Sequence, residues 1–239
     1  MPSSLRTVVL FSLLPVLTTA AGATYAALRT PSDQLRSLLQ HFAAGVVFSV
    51  VAVELLPDVI RVHDLFEIGW TFSAGLALML VIERFAKRAE ESPARVAGPS
   101  LAQLTAVGID VFIDGLLIGI AFAAGGKEGM LLTAALSLEL LSLGLAVAAG
   151  LAAKGRLLTV AIPTGLSLLL VVGAAIGDTV LRGVSEHTLA GVLSFGCAAL
   201  LYLVTEELLV DAHESGETTL GTAMFFVGFL AFLLLGMVE

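Results

Sequence analysis

The sequence predicts an all-α integral membrane protein with eight membrane-spanning helices in a single domain. Of its 239 residues, 58% are hydrophobic and 13% are charged, whereas a soluble domain carries about 25% charged residues. Apolar stretches of the length that a bilayer requires, about 17 to 25 residues, recur eight times between clusters of charged or turn-forming residues. This composition excludes the water-soluble enzyme classes, and we expect a protein that is not an enzyme.

The eight predicted spans follow one another through short connections. They cover residues 7–28, 37–59, 65–83, 101–124, 130–152, 157–177, 188–209 and 218–238. The longest connection, residues 84–100, is too short for a soluble domain, so residues 1–239 are predicted to form one transmembrane domain. The first span has a second interpretation, because Arg6, an apolar run and the small residues at 19–23 resemble a cleaved signal peptide. The apolar run is longer than a usual signal core, which favours a membrane span.

Cysteine content and charge exclude further classes. Cys197 is the single cysteine, so the chain cannot form an internal disulfide or a thiolate metal cluster. The net charge is −8 and basic residues cluster in one connection only, which argues against nucleic-acid binding. We expect no prosthetic group and no nucleic-acid partner.

The distribution of basic residues predicts the orientation. The connections at 29–36, 84–100, 153–156 and 210–217 hold eight of the 12 lysines and arginines, and the opposite set holds four. Because basic residues accumulate in cytoplasmic loops, the first set is predicted to lie in the cytoplasm. Both termini are then predicted to face away from the cytoplasm. We expect the protein to lie in the inner or plasma membrane.

An internal repeat relates the second span to the seventh. Residues 43–58 read AAGVVFSVVAVELLPD and residues 196–211 read GCAALLYLVTEELLVD, which share Glu-Leu-Leu-x-Asp. Five helix steps separate the copies, so the two spans cross the membrane in opposite directions. Inverted repeats, here spans 1–3 and 6–8, are typical of secondary transporters whose substrate binds near the midplane. Chance similarity between leucine-rich helix ends is the alternative.

Three acidic residues fall near the middle of the predicted membrane. Asp114 and Glu139 lie about 2 and 3 Å outward of the centres of their spans, at about 1.5 Å per residue. Asp110 is one turn from Asp114 on the same helix face, and Ser142 is one turn past Glu139. Their oxygens are the ligands that hard divalent cations prefer. The pattern therefore predicts a metal site formed by Asp110, Asp114, Glu139 and Ser142.

Four further acids predict a cation path on either side of that site. Glu54 and Asp58 lie toward the outer end of the second span, and Glu206 and Glu207 lie toward the inner end of the seventh. Burying an ionised carboxylate in a bilayer costs about 2.5 to 3.5 kcal/mol or more. The predicted spans contain no lysine or arginine, so these acids must be protonated, hydrated or bound to a cation. The alternative is that the central acids are protonated and hydrogen-bond neighbouring helices in a purely structural role.

Other titratable residues are predicted to have no part in this path. Glu67, Glu83, Glu128 and Asp178 lie near span ends or in connections, where we expect them to be solvated. None of the four histidines lies near the midplane, so no histidine-rich zinc site is predicted.

The chain resembles the ZIP (Zrt/Irt-like) family of divalent-metal transporters, in its bacterial branch. The resemblance rests on HFAAGVVFSVVAVELLPD in the second span, GIDVFIDGLLIGIAFAAG in the fourth, SLELLSLGLAVAAGL in the fifth and LLYLVTEELLVDAHESGETTLGTAMFFVGFL across the last two. It implies a 3+2+3 arrangement of spans, a homodimer, and transport of Zn²⁺, Mn²⁺ or Fe²⁺ by alternating access. Access would switch as the repeats rock against the fourth and fifth spans.

The central motifs depart from the family pattern. Where the family reads His-Asn-x-Pro-Glu-Gly in the fourth span, Asp110 and Asp114 stand at the histidine and glutamate positions and Val111 at the asparagine position. In the fifth span Glu139 keeps a ligand position, whereas Leu143 replaces a family glutamate. The resemblance thus implies one ion rather than two, in helices without the family's prolines. An all-oxygen site favours Mn²⁺, Mg²⁺ or Fe²⁺ over Zn²⁺. The alternative is a non-transporting ZIP-fold membrane protein, a sensor or accessory subunit that has lost the two-metal centre.

Overall fold

A computed structural model describes residues 4–29, 31–90, 99–214 and 218–238. All regular secondary structure in these ranges is helical, and eight helices are long and apolar enough to cross a membrane. The predicted fold class, an all-α chain with eight such helices, is therefore confirmed. We number them α1 (Leu5–Leu28), α2 (Asp33–Arg61), α3 (Leu65–Glu90), α4 (Leu101–Ala124), α5 (Gly126–Lys154), α6 (Arg156–Leu181), α7 (Glu186–Leu208) and α8 (Thr219–Met237). An α-helical turn, Leu209–Glu214, continues α7.

Serine side chains fix where four helices begin. Ser4, Ser32, Ser100 and Ser185 each accept a hydrogen bond from the backbone amide three residues later. Gln103 bonds back to the Ser100 amide and completes a capping box. The first amides of a helix have no partner within it, so these caps stabilise each start by about 1 kcal/mol.

Several helices are longer than the sequence predicted. The second span begins at Asp33 rather than 37, the fifth at Gly126 rather than 130, and the sixth ends at Leu181 rather than 177. The added turns carry charged residues, which the apolar pattern counted as connections. Charged side chains at helix ends can reach the aqueous phase, so they extend a helix without being buried in lipid.

The helices form two bundles of four. The first bundle contains α1, α4, α5 and α6, and the second contains α2, α3, α7 and α8. The bundles meet mainly where α2 contacts α5 and where α4 contacts α3 and α7. The first and sixth helices thus pack with the two central ones rather than with the other members of their predicted repeats.

Glycines allow the closest crossing between α4 and α6. Gly115 lies against the carbonyl oxygen of Leu170, and Gly173 lies against that of Phe112. A Cβ atom at either glycine would overlap the facing carbonyl. Small residues let membrane helices approach until their backbones touch, and this crossing depends on both positions.

The crossing between α1 and α5 repeats the same arrangement. Gly144 lies against the carbonyl oxygen of Thr19, and Gly22 lies against that of Leu141. The same number of residues separates Gly115 from Gly144 and Phe112 from Leu141. The two crossings therefore use corresponding residues of α4 and α5.

The second bundle contains two more contacts between a glycine and a facing carbonyl oxygen. Gly228 of α8 lies against the carbonyl oxygen of Phe42 in α2, and Gly75 of α3 lies against that of Phe195 in α7. One sequence interval relates both the two glycines and the two phenylalanines. Residues of the first three helices and of the last three thus make matching contacts.

One π-helical segment interrupts α2 and another interrupts α7. They are Val51–Leu55 and Leu203–Leu208, and each includes the shared Glu-Leu motif. The first precedes Pro57, but Val210 stands at the corresponding place after the second, so proline is not their common cause. Such segments are frequent at functional sites. By contrast, α4 runs as an uninterrupted α-helix, as does α5 until its last turn at Ala152.

The outer surface is strongly apolar. In the apolar stretch of α3 that could cross a membrane, only 11% of the residues are buried, and the fraction is the same in α8. Large side chains such as Phe66 and Trp70 are 85% and 69% exposed. Water would oppose such exposure and lipid would not, so the chain has the surface of a multi-pass membrane protein.

Candidate metal centre

Three carboxylates converge between α4 and α5. Asp110 and Asp114 lie one turn apart on α4, and Glu139 faces them from α5. One oxygen of each lies within 4.8 Å of the corresponding oxygen of the other two. Asp114 and Glu139 are buried, with 2% and 5% of their surface exposed, and Asp110 is partly exposed. The structure thus brings together the three predicted carboxylate ligands.

Two oxygens of this cluster lack hydrogen-bond partners. Asp114 Oδ2 and Glu139 Oε2 are buried and accept no hydrogen bond from the described residues. Buried polar atoms almost always have a partner, and leaving one without a partner costs about 1 to 3 kcal/mol. Among the residues that the structure describes, no lysine or arginine forms an ion pair with any of the three carboxylates. The cluster therefore has the oxygen donors of a cation site and, among the described residues, no basic partner.

A hydroxyl and several apolar side chains lie close in sequence to the three carboxylates. Ser142 is buried on α5, three positions past Glu139. Val111 and Leu143 stand where the family resemblance would place further ligands, and they line an apolar cleft too narrow for a water molecule. Apolar side chains thus stand at both of these positions, and neither can supply an oxygen ligand.

Of the two predicted acids on α7, one lies near enough to the cluster to interact with it electrostatically. Glu207 lies in the π-helical segment, within electrostatic range of both Asp114 and Glu139. Glu206, its neighbour in the same segment, is exposed. Glu207 is therefore the α7 residue that lies closer to the predicted path.

The two predicted acids on α2 each have a basic partner. Glu54 Oε1 lies 3.4 Å from Lys127 Nζ, and Lys127 also donates a 2.7 Å hydrogen bond to the carbonyl of Gly236 in α8. Asp58 forms a 2.8 Å ion pair with Arg61. The prediction that acids of the spans have no basic partner is wrong for this pair of residues. It failed because α2 and α5 are longer than predicted, which brings Arg61 and Lys127 into the helices.

The contact between Glu54 and Lys127 joins the two bundles. Replacing Lys127 with methionine leaves Glu54, 11% exposed at its side chain, without its cation. We expect the free energy of unfolding to fall by about 1 to 3 kcal/mol, between the values for buried and exposed pairs. Denaturant titration of the purified protein measures this, with Lys154→Met, at the exposed end of α5, as the control. If the effects of Lys127→Met and Glu54→Gln simply add in the double variant, the pair is not coupled.

Two of the acids predicted to be solvated form ion pairs, and a third lies in a group of possible metal ligands. Asp178 is 1% exposed and forms an ion pair with Arg182 one turn later, so its predicted solvation is wrong. Glu83 pairs with Lys87 in the same way. Glu67 belongs to a second cluster of possible metal ligands, with Asp64 and His187. The sequence alone does not indicate that cluster, because its members come from two distant segments of the chain.

The chain matches no protein-family model and no curated protein.

Proposed function

We propose that this protein transports a divalent cation across the membrane, and that Asp110, Asp114 and Glu139 bind the cation on its way. The observation that carries the proposal is the convergence of three carboxylates between two membrane-spanning helices, with two buried oxygens unpartnered. The cation is the transported substrate rather than a resident cofactor, and no enzymatic step is involved. Ser142 is close enough in sequence to contribute a hydroxyl when the ion binds.

The chemistry of the cluster explains why an ion would leave water for this site. Carboxylate oxygens replace the lost hydration shell, and the positive charge compensates groups that are costly to ionise in a membrane. An all-oxygen set suits Mn²⁺ and Fe²⁺ better than Zn²⁺, although carboxylates bind zinc as well. A divalent ion of this class is therefore the proposed substrate.

The matching helix contacts support an inverted repeat. Exchanging α1 with α6, α2 with α7, α3 with α8 and α4 with α5 maps each close crossing onto another. The interval that relates Gly115 to Gly144 also relates Asp110 to Glu139. The corresponding helices α4 and α5 would therefore each contribute a ligand. A site shared by the two halves of an inverted repeat is the usual position for a transported substrate.

The two bundles supply the moving parts. The carboxylate cluster belongs to the bundle of α1, α4, α5 and α6. Glu54 and Glu207, which correspond in the repeat, lie in the other bundle at the π-helical segments. Displacement of one bundle against the other would present the ion first to Glu54, with Asp58 nearby, and then to Glu207 and Glu206. In this scheme α1 and α6 move with α4 and α5, unlike the rocking that the family resemblance suggested.

The remaining expectations enter the proposal together. They are a ZIP-like 3+2+3 arrangement, a homodimer, location in the inner or plasma membrane, and termini outside the cytoplasm. Charge distribution supports the orientation, and the family resemblance of the second, fourth, fifth, seventh and eighth spans supports the others.

A metal titration separates the proposed ligands from structural acids. For the detergent-purified protein, Mn²⁺ at about 100 times its Kd should raise the free energy of unfolding by about 2.7 kcal/mol. Asp114→Asn should abolish this stabilisation, because the amide cannot supply a charged ligand. Glu128→Gln, the same kind of change at the start of α5, should preserve it.

Protonated acids that only join helices give the opposite result. Mn²⁺ would then leave the stability of the wild-type protein unchanged, while Asp114→Asn would alter stability in metal-free buffer. That outcome would favour a non-transporting membrane protein of the same fold and would overturn the proposal.

A further inference from the structure

A second group of metal-binding side chains lies at one end of the bundle of α2, α3, α7 and α8. Asp64 immediately precedes α3, Glu67 is in its first turn, and His187 is the second residue of α7. One ligand atom of each lies within 4.8 Å of the others. Asp64 and Glu67 are partly exposed and His187 is exposed, so an ion could reach the group from the aqueous phase.

Backbone hydrogen bonds hold the Asp64 carboxylate in place. Its Oδ1 atom accepts bonds from the amides of Phe66 and Glu67, at 3.1 and 3.0 Å. This is the geometry of a helix cap, and it leaves Oδ2 available for a metal. The cap therefore orients one carboxylate toward its neighbours before any ion binds.

Packing between α3 and α7 holds the other two side chains. A Cβ atom at Gly191 would lie 2.8 Å from Glu67 Oε1, so the Glu67 carboxylate rests against the α7 backbone. The Ser194 hydroxyl donates a 3.1 Å hydrogen bond to the carbonyl of Ile68, which fixes the two helices relative to each other. His187 begins the same helix and shares this rigid support.

The cluster has no fixed cation of its own. Glu67 Oε2 and His187 Nδ1 are 3.8 Å apart, too far for a hydrogen bond. Among the described residues no lysine or arginine pairs with Asp64 or Glu67. The arginines of the flanking segments are paired elsewhere, Arg61 with Asp58 and Arg182 with Asp178. Two carboxylates thus face each other with an imidazole, which can be neutral or protonated, as their nearest basic group.

We propose that Asp64, Glu67 and His187 form a second metal site, at the membrane surface, for Zn²⁺ or a similar borderline ion. One imidazole nitrogen and two carboxylate oxygens are a donor set that Zn²⁺ accepts, with water in the remaining position. Both helices that supply ligands belong to the bundle opposite the central carboxylates. The ion therefore stays at the surface and clamps the start of α3 to the start of α7, whether or not the central cluster transports anything.

Calorimetric titration with Zn²⁺ tests this site. His187→Ala, and separately the isosteric Glu67→Gln, should each weaken one class of Zn²⁺ binding by at least about tenfold, since even residues that only support a ligand cost that much when replaced. His63→Ala is the matched control, because His63 is an exposed histidine next to Asp64 whose Nδ1 atom hydrogen-bonds the Arg61 carbonyl instead of facing the cluster. It should bind Zn²⁺ like the wild type.

Asp114→Asn distinguishes the two proposed sites. It should remove Zn²⁺ binding at the central cluster and leave unchanged the class of Zn²⁺ binding that His187→Ala weakens. If the wild type, Glu67→Gln and His187→Ala give the same titration, or if Asp114→Asn removes all Zn²⁺ binding, the surface site does not exist. A different result would separate the two proposals. If His187→Ala and Glu67→Gln weaken Zn²⁺ binding, but neither the wild type nor any variant binds Zn²⁺ at the central cluster, the transport site is refuted and the surface site is supported.

Discussion

Replacing Glu139 with glutamine, or Asp114 with asparagine, is expected to reduce Mn²⁺ uptake into proteoliposomes by more than about tenfold. Each change keeps the volume of a buried side chain and removes one of the negative charges that converge within 4.8 Å. With one carboxylate fewer, the remaining oxygens no longer compensate the loss of the hydration shell. Initial rates with radioactive manganese, normalised to reconstituted protein, measure the effect.

Glu128→Gln provides the control for that experiment. Glu128 is an acid of the first turn of α5, outside the carboxylate cluster, so its loss should leave uptake within about twofold of the wild type, as for most surface changes. Wild-type rates in both Glu139→Gln and Asp114→Asn would show that the ion does not pass through the cluster.

Alanine at Gly115 is expected to lower the free energy of unfolding by about 1 to 3 kcal/mol or more. Its Cβ would overlap the carbonyl oxygen of Leu170, so α4 and α6 would have to move apart along a tightly packed crossing. Gly144→Ala should cost a similar amount, because Gly144 makes the corresponding contact with Thr19. Thermal or denaturant unfolding in detergent measures both changes.

The same substitution at Gly165 should have the opposite sign. A Cβ there meets no atom within 4 Å, and alanine is favoured over glycine in a helix by about 0.5 to 1 kcal/mol. If Gly115→Ala and Gly165→Ala shift the unfolding midpoint equally, the α4 crossing is not as close as described.

The number and approximate position of the helices follow from the sequence because lipid imposes a simple rule. A spanning segment must be apolar over a fixed length and must satisfy its own backbone. The grouping of the central carboxylates also follows from local rules. Asp110 and Asp114 share a helix face by their spacing, and Glu139 lies at a similar depth in the next span.

The remaining features depend on which helices are neighbours, and no local pattern determines that. Lys127 reaches Glu54 only because α5 starts one turn early beside α2. His187 meets Glu67 only because α7 packs on α3. The π-helical segments need a backbone rearrangement that the apolar pattern of α2 and α7 does not express.

Lys127 is a side chain at which three helices meet, because it lies on α5 and contacts Glu54 of α2 and the carbonyl of Gly236 in α8. The repeat does not reproduce this residue, since the interval relating Asp110 to Glu139 places Gly98 at the corresponding position. If the two bundles move against each other as proposed, they can separate here only when the Lys127 contacts break. Removing the lysine should therefore change the rate of that movement without changing any of the three central carboxylates.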